Sequence, residues 1–156
     1  DSLPQCCGAP ELALIHYLLQ SSGLQGVALE RASAGIVAGV DATLRDEVGR
    51  WLLDSRHPRS RQEFALTVPG MGGHSSQLVI DRCFVDRDSG ELWIVDYKTS
   101  TPVGGDSLQA FLARETDSYR PQLARYSSAV AAWEGTDTIR CALYFTQIGY
   151  LHEVRV

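Results

Sequence analysis

The hydrophobic pattern of the chain is clearest between residues 78 and 98, where two apolar runs flank a polar segment. Val79–Val85 and Leu92–Lys98 are rich in β-branched and aromatic residues, which is typical of β-strands. The six residues between them, DRDSGE, have the chemistry of a turn. This pattern predicts a β-hairpin that is apolar on both faces, as strands in the middle of a covered sheet are. Alternation along the first strand puts Val79, Cys83 and Val85 on one face and Leu78, Ile80 and Phe84 on the other.

The turn also predicts the register of the hairpin. If Asp86 lies opposite Glu91, the numbers of paired residues sum to 177, and Asp81 then lies opposite Asp96. Facing residues on antiparallel strands have Cβ atoms about 5 Å apart and point to the same face. Lys98 follows Asp96 by two residues and shares that face, whereas a slip of one residue would send the two aspartates to opposite faces.

Two carboxylates at one end of such a hairpin are partly desolvated, so they require a proton or a compensating cation. A divalent metal ion between Asp81 and Asp96 satisfies this requirement. A structural ion pair between Lys98 and either aspartate, at the end of a sheet, satisfies it as well. Geometry alone leaves both interpretations open.

The remaining pattern predicts an α+β fold, in which a mixed central β-sheet is flanked by helices. Helices are predicted over residues 10–20, 29–40, 41–53, 107–114 and 119–133, with Asp41 and Ser118 as the N-caps of the third and the fifth. Residues 62–68 are predicted as a strand that begins near Glu63, and residues 139–147 and 151–156 as a closing strand pair.

The last predicted helix carries an unusual residue. Along one side it presents an apolar stripe that is typical of a core, with Val130 and Trp133 among its buried members. Gln122 falls on the same side between two tyrosines, Tyr119 and Tyr126. An inward-facing amide is unexpected for a stripe that serves packing alone.

Composition narrows the class of protein. With 156 residues, 44% hydrophobic and 21% charged, the chain is expected to form one soluble domain over residues 1–156. No apolar run reaches the length of a membrane span and no signal peptide opens the chain, so a cytoplasmic protein without a membrane partner is expected. The four cysteines show neither zinc spacing nor a disulfide framework, and are expected to be reduced. We also expect a fragment of a larger polypeptide, because the first residue is Asp1 rather than Met.

Charge and missing motifs limit the function further. The net charge of −5 does not favour holding nucleic acid unaided, so phosphates would have to meet local basic patches or a neighbouring domain. The chain contains no GxxxxGK[ST] loop, which excludes ATP hydrolysis by that motif. A two-carboxylate glycosidase would not explain why Lys98 follows Asp96 by two residues.

Three short motifs occur in a fixed order: Ile80-Asp81-Arg82, then Asp96-Tyr97-Lys98-Thr99, then Tyr119-Arg120-Pro121-Gln122-Leu123-Ala124-Arg125-Tyr126. They resemble the G-x-I-D-R, D-Y-K-T/S and Y-x-x-Q-L-x-x-Y motifs of the nuclease domain in RecB- and AddA-type helicase–nucleases, a branch of the PD-(D/E)XK superfamily. Leu78 stands where that family has the glycine. The resemblance covers residues 62–133 and implies a restriction-endonuclease-like core.

The resemblance also implies roles for particular residues. Asp81 and Asp96 match the metal-binding carboxylates, and the main-chain carbonyl of Tyr97 matches a further ligand. Lys98 matches the lysine that orients the attacking water or stabilises the developing phosphate charge. Gln122 and Tyr126 match the helix that supports the catalytic site and approaches the DNA backbone.

Two further residues are implied by the same resemblance. On its own, one histidine in an apolar helix is typical of a core residue. The family, however, has a metal-binding histidine in an upstream G-T-x-x-H-x-x-L context, which resembles Leu12-Ala13-Leu14-Ile15-His16-Tyr17-Leu18-Leu19 around His16. Leu12-Ala13 replaces the Gly-Thr of that motif. Glu63 matches an acidic residue on the preceding strand, with a structural role equally open.

The function implied is a metal-dependent DNA exonuclease domain that uses Mg²⁺, or Mn²⁺. Its partners would be single-stranded DNA or unwound duplex, and the helicase domains of an ATP-dependent UvrD/RecB-like enzyme in the same chain or complex. The expected setting is DNA double-strand break repair and recombination, with this chain as a C-terminal fragment of a helicase–nuclease. The alternative is a non-catalytic DNA-binding or scaffolding module with the same fold. Missing carboxylates or a missing lysine would favour that alternative, and this chain retains all of them.

Overall fold

A computed structural model describes residues 9–69 and 74–156 of the chain, with side chains from residue 12 onwards. The elements are α1 (Ala9–Ser21), α2 (Gly26–Arg45), α3 (Glu47–Leu53), β1 (Arg61–Pro69), β2 (Ser75–Val85), β3 (Leu92–Lys98), α4 (Leu108–Glu134), β4 (Ile139–Phe145) and β5 (Tyr150–Val154). They fall into two compact units. One holds α1, α2, α3 and the segment Thr146–Gly149, and the other holds Asp54–Phe145 with Tyr150–Val156. None of the helices described is long and apolar enough to cross a membrane.

The second unit is built on a five-stranded sheet with the order β1-β2-β3-β4-β5. β3 and β4 are parallel, and the other neighbouring strands are antiparallel. A parallel pair needs a long crossover, and α4 supplies it between β3 and β4. Buried residues of α4, including Phe111, Leu123 and Val130, form one core cluster with Ile94 and Leu143 of the sheet. The predicted α+β class with a mixed central sheet is confirmed.

The hairpin has the predicted register. Its pairs run from Val85 opposite Leu92 to Arg82 opposite Val95, and each pair sums to 177. The turn fixes this register because the backbone N–H of Asp86 donates to the carbonyl of Glu91 at 2.8 Å. Gly90 in the same turn has a φ of 75°, a conformation that glycine adopts without steric cost.

The two central strands separate beyond these pairs. β2 stays paired with β1 as far as Ser75, and β3 stays paired with β4 as far as Lys98, while the β2–β3 ladder covers only four pairs. At the point of separation, the backbone N–H of Tyr97 donates to Oδ2 of Asp81 at 2.8 Å. The carboxylate of Asp81 therefore occupies the opening between the strands.

The expected alternation of faces along β2 is wrong at this point. Alternation put Leu78 and Ile80 on the face opposite Cys83, but all three belong to the core cluster that packs against α4. Val79, expected beside Cys83, is exposed. The side-chain direction must change between Ile80 and Cys83, that is, around Asp81.

The neighbouring strand is irregular at the same level. Pairing between β1 and β2 includes Gln62 with Arg82 and Phe64 with Ile80, and Glu63, which lies between Gln62 and Phe64, has a φ of 46°. This left-handed conformation is uncommon for residues other than glycine. It marks a local distortion of β1 next to the opening, without a change of register, because the pairs on either side of Glu63 follow the same register.

The prediction of two separate helices over residues 107–114 and 119–133 is wrong, since α4 is continuous. Its N-cap is Ser107, whose Oγ accepts from the N–H of Ala110 at 3.2 Å. Ser118, the predicted N-cap, instead donates from Oγ to the carbonyl of Arg114 within the helix. Pro121 removes one backbone donor, but buried residues on both sides of it anchor the helix to the core.

Two further expectations are corrected. The break that was expected at Asp41 occurs at Asp46, whose Oδ2 accepts from the N–H of Gly49 at 2.9 Å and caps α3. Trp133 was expected in the core and is 62% exposed, whereas Val130 is fully buried. Trp133 lies in the last turn of α4, where the helix presents this side chain to solvent.

Candidate active site

Asp81 and Asp96 lie where β2 and β3 separate. Asp81 is half-buried and Asp96 is only 3% exposed. One oxygen of Asp96, Oδ2, is ion-paired with Nζ of Lys98, and the other, Oδ1, accepts from Nε2 of Gln122 at 3.2 Å. The structure thus brings the two carboxylates and the lysine together at one end of the sheet.

The electrostatics of Asp96 reflect this crowding. Burial is the main cause that raises the pKa of Asp96 above its ordinary value, and the negative charge of Asp81 raises it further. The hydrogen bond and the positive charge of Lys98 act in the opposite direction, but the net change is upward. The ionised form of Asp96 is therefore disfavoured in the folded protein unless a further cation compensates for it.

Tyr97 lies between Asp96 and Lys98 in the sequence, but its side chain packs against Tyr144. Its ring meets that of Tyr144 nearly edge-on, with centroids 6.2 Å apart. Burial is the main cause that raises the pKa of its hydroxyl; the positive charge of Arg82 lowers this pKa, and the negative charge of Asp81 raises it. Only the main chain of Tyr97 is therefore placed to serve the site, and its N–H already holds Asp81.

Helix α4 supports Asp96 from the side of the core. Gln122 donates from Nε2 both to Asp96 and to the hydroxyl of Tyr126, the latter at 2.6 Å. Tyr126 is buried and lies one helical turn beyond Gln122. Because the amide has a partner on each side, it holds the carboxylate in one orientation, which explains an inward-facing glutamine between two tyrosines.

Lys98 has a second contact besides Asp96. Its Nζ lies 3.6 Å from the centroid of the Tyr119 ring, over the aromatic face. The side chain of Lys98 is 15% exposed, so its ammonium is largely withdrawn from water. Lys98 is also the only lysine in the sequence.

Sequence reasoning missed one contact near the site. Oγ of Ser100 donates to Oε2 of Glu115 at 2.8 Å, which joins the segment after β3 to α4. Glu115 lies one turn before Tyr119 on the same side of the helix. The helical spacing would have pointed to Glu115, but the predicted break between residues 114 and 119 hid it.

Two residues that the sequence resemblance implies for the site, His16 and Glu63, lie on α1 and β1 rather than on the strands that carry Asp81 and Asp96. His16 is half-buried on α1, where it lines a cavity of about 600 Å³ with Glu30, Ser33 and Asp41 of α2. It belongs to the unit of the first three helices, and its role as a metal ligand stays a prediction. Glu63 is exposed on β1, and its role stays a prediction as well.

The residues at the opening fit a hard divalent cation. Two carboxylates and the main-chain carbonyl of Tyr97 are the oxygen donors that Mg²⁺ and Mn²⁺ prefer. The upward pKa of Asp96 and the neighbouring charge of Asp81 both call for a compensating positive charge. Among residues 12–69 and 74–156, no three His, Cys, Asp or Glu side chains gather into a group that could hold a metal, so the main chain would have to complete the donor set.

The family model of the PD-(D/E)XK nuclease superfamily matches residues 10–153, a range that contains every residue discussed for the site. No curated protein matches the chain. The matched range includes both the first three helices and the sheet, and the five-stranded mixed sheet with its helices is consistent with the restriction-endonuclease-like fold of that superfamily.

Proposed function

Because the chain belongs to the PD-(D/E)XK nuclease superfamily, we propose that it is a metal-dependent deoxyribonuclease whose site is formed by Asp81, Asp96 and Lys98. The observation that carries this proposal is the hairpin register. The last pair of the hairpin, Arg82 opposite Val95, is followed on the two strands by Asp81 and Asp96, and Asp96 is ion-paired with Lys98, the single lysine of the chain.

Phosphodiester hydrolysis must bring a hydroxide to an anionic phosphorus and stabilise additional negative charge on its oxygens. A bound Mg²⁺ or Mn²⁺ supplies an activated water and neutralises phosphate charge. The protein's own part is to fix the donors: Gln122 orients Asp96, and the N–H of Tyr97 orients Asp81. Lys98 places a positive charge next to Asp96, where it orients the attacking water or stabilises the charge that develops on the phosphate.

The finer proposal is an exonuclease that acts on single-stranded DNA or unwound duplex together with an ATP-dependent UvrD/RecB-like helicase. The order and separation of the three sequence motifs support this assignment. The absence of a Walker-type loop and the net charge of −5 support a partner that supplies both ATP hydrolysis and DNA affinity. The corresponding process is DNA double-strand break repair and recombination in the cytoplasm.

A fluorogenic single-stranded DNA substrate tests the proposal, with Mg²⁺, Mn²⁺ or EDTA present. The parent protein is expected to cleave with either metal and not in EDTA. Asp96→Ala and Lys98→Ala are expected to lose cleavage while they largely retain DNA binding. Asp88→Ala is the matched control, because Asp88 is an exposed carboxylate in the hairpin turn. Cleavage at the parent rate by either site variant would show that the site assignment is wrong.

A non-catalytic DNA-binding module with the same fold is the competing function. If this function is correct, the protein binds DNA but cleaves it neither with Mg²⁺ nor with Mn²⁺. The intact set of Asp81, Asp96 and Lys98 argues against it.

A further inference from the structure

Three side-chain contacts in sequence join the end of β3 to α4. They pair Asp96 with Gln122, Lys98 with Tyr119, and Ser100 with Glu115. We call this set the side-chain ladder. From one contact to the next, the residue number on the strand side rises by two, from 96 to 98 to 100. The residue number on the helix falls by three and then by four, from 122 to 119 to 115.

The spacing of the side-chain ladder follows from backbone geometry. Two residues of extended chain advance by about 6.6 Å, and three or four residues of helix advance by about 4.5 or 6 Å. One face of α4, running in the opposite direction, can therefore meet every second residue from Asp96 to Ser100. The second contact involves Lys98 itself, and the third, between Ser100 and Glu115, lies two residues beyond it.

Lys98 needs such support because its ammonium sits on a flexible four-carbon stem. Asp96 attracts the ammonium, but a divalent cation bound by Asp96 would compete for the same carboxylate. The Tyr119 ring offers a second, uncharged surface for the ammonium at 3.6 Å. That surface keeps its attraction whatever else Asp96 binds.

Glu115 acts one step further out. Ser100 follows Lys98 by two residues, where β3 has ended and the chain enters an irregular segment. The hydrogen bond from Ser100 to the half-buried Glu115 ties that segment to α4. Without it, the backbone that carries Lys98 would be held by strand pairing on one side only.

We propose that Tyr119 and Glu115 are positioning residues for Lys98: Tyr119 receives its ammonium on the ring face, and Glu115 fixes the chain after it through Ser100. The inference rests on the proposed nuclease function for its catalytic meaning. The contacts themselves are open to a test that requires no activity.

The kinetic test compares Tyr119→Leu with Tyr119→Phe, which keeps the aromatic face. Tyr119→Leu is expected to lower kcat by roughly 3- to 30-fold with little change in KM, because the lost contact positions a group that acts in the transition state. Tyr119→Phe is expected to restore most of kcat. Tyr17→Leu, on the exposed face of α1, is the matched control and is expected to leave kcat unchanged.

The outer contact is tested by Ser100→Ala, Glu115→Leu and the double variant. Each single change is expected to lower kcat, and the double change is expected to do little more than either, since all three remove the same hydrogen bond. Ser118→Ala is the control, because this exposed serine bonds only within α4. Fully additive effects of the two single changes would contradict the proposed role of Glu115.

The contact between Lys98 and Tyr119 has its own readout by NMR spectroscopy. As Lys98 is the only lysine, protein labelled with ¹³Cε-lysine gives one side-chain signal. An upfield ring-current shift is expected in the parent and in Tyr119→Phe, and its loss in Tyr119→Leu. A signal that does not change in Tyr119→Leu would overturn the inference. A parent without metal-dependent cleavage would instead overturn the proposed function, while the NMR result still decides where Lys98 lies.

Discussion

Replacing Asp96 with asparagine is expected to stabilise the metal-free protein at neutral pH and to abolish hydrolysis. Burial raises the pKa of Asp96, which means that the folded state disfavours its ionised form. Asparagine has the same size, carries no charge, and keeps an oxygen that accepts from Gln122. It gives up the ion pair with Lys98, but the net upward pKa of Asp96 indicates that the burial of its charge outweighs that pair.

The direction of the stability change follows from linkage between protonation and folding. Each unit by which the folded state raises a pKa corresponds to about 1.4 kcal/mol in the free energy of unfolding. Asp96→Asn removes this cost at neutral pH, so its free energy of unfolding and its Tm are expected to exceed those of the parent protein. Hydrolysis is lost in the same variant because the carboxylate that would bind the cation is gone.

The pH dependence has a defined sign. A group with a raised folded pKa contributes stability at pH values below its unfolded pKa, and that contribution is lost as the pH rises through the folded pKa. In the parent protein, Asp96 is protonated in acid and ionised at alkaline pH, whereas asparagine does not titrate. The difference in stability between Asp96→Asn and the parent should therefore be small in acid and widen as the pH rises.

Chemical denaturation in EDTA over a series of pH values measures this difference. Asp88→Asn serves as the control, because its side chain is 79% exposed and the substitution should change stability little at any pH. A variant Asp96→Asn that is less stable than the parent at alkaline pH would show that the buried charge of Asp96 does not destabilise the folded protein. A difference that does not depend on pH would show the same.

Two other substitutions test the support of the site and the hairpin. Gln122→Met keeps the volume of the side chain but leaves Oδ1 of Asp96 without its donor, so the free energy of unfolding should fall by about 1–3 kcal/mol and kcat should fall with it. Thermal unfolding and the cleavage assay measure the two effects, and an unchanged Tm would contradict the role given to Gln122. Gly90→Ala should destabilise the protein by about 1 kcal/mol through its φ of 75° alone, because no atom lies within 4 Å of the added Cβ. Equal denaturation midpoints for Gly90→Ala and the parent would show that the turn tolerates alanine there.

Sequence reasoning placed the hairpin well because two local signals agree there. The two apolar runs define the strands, and the turn from Asp86 to Glu91 fixes the register, which the structure confirms. Both signals act over a few residues, so they can be derived without knowledge of the tertiary fold. They also placed Asp81 near Asp96, although the ladder between the two strands ends one pair earlier, at Arg82 and Val95.

The errors lie where tertiary contacts override local signals. Ser118 and Pro121 resemble the start of a helix, but buried residues on both sides of them hold α4 as one continuous helix. The change in side-chain direction along β2 at Asp81 occurs where β2 separates from β3, and the sequence of β2 alone does not predict it. The contact between Ser100 and Glu115 depends in turn on the continuity of α4.

Crystals soaked in Mn²⁺ test whether Asp81 and Asp96 together hold a divalent cation, as the proposed DNA hydrolysis requires. We expect an anomalous density peak bonded to both carboxylates in the parent protein, and no such peak in Asp96→Asn. A parent crystal in which both carboxylates remain free of metal, at a concentration that supports cleavage, would contradict this expectation.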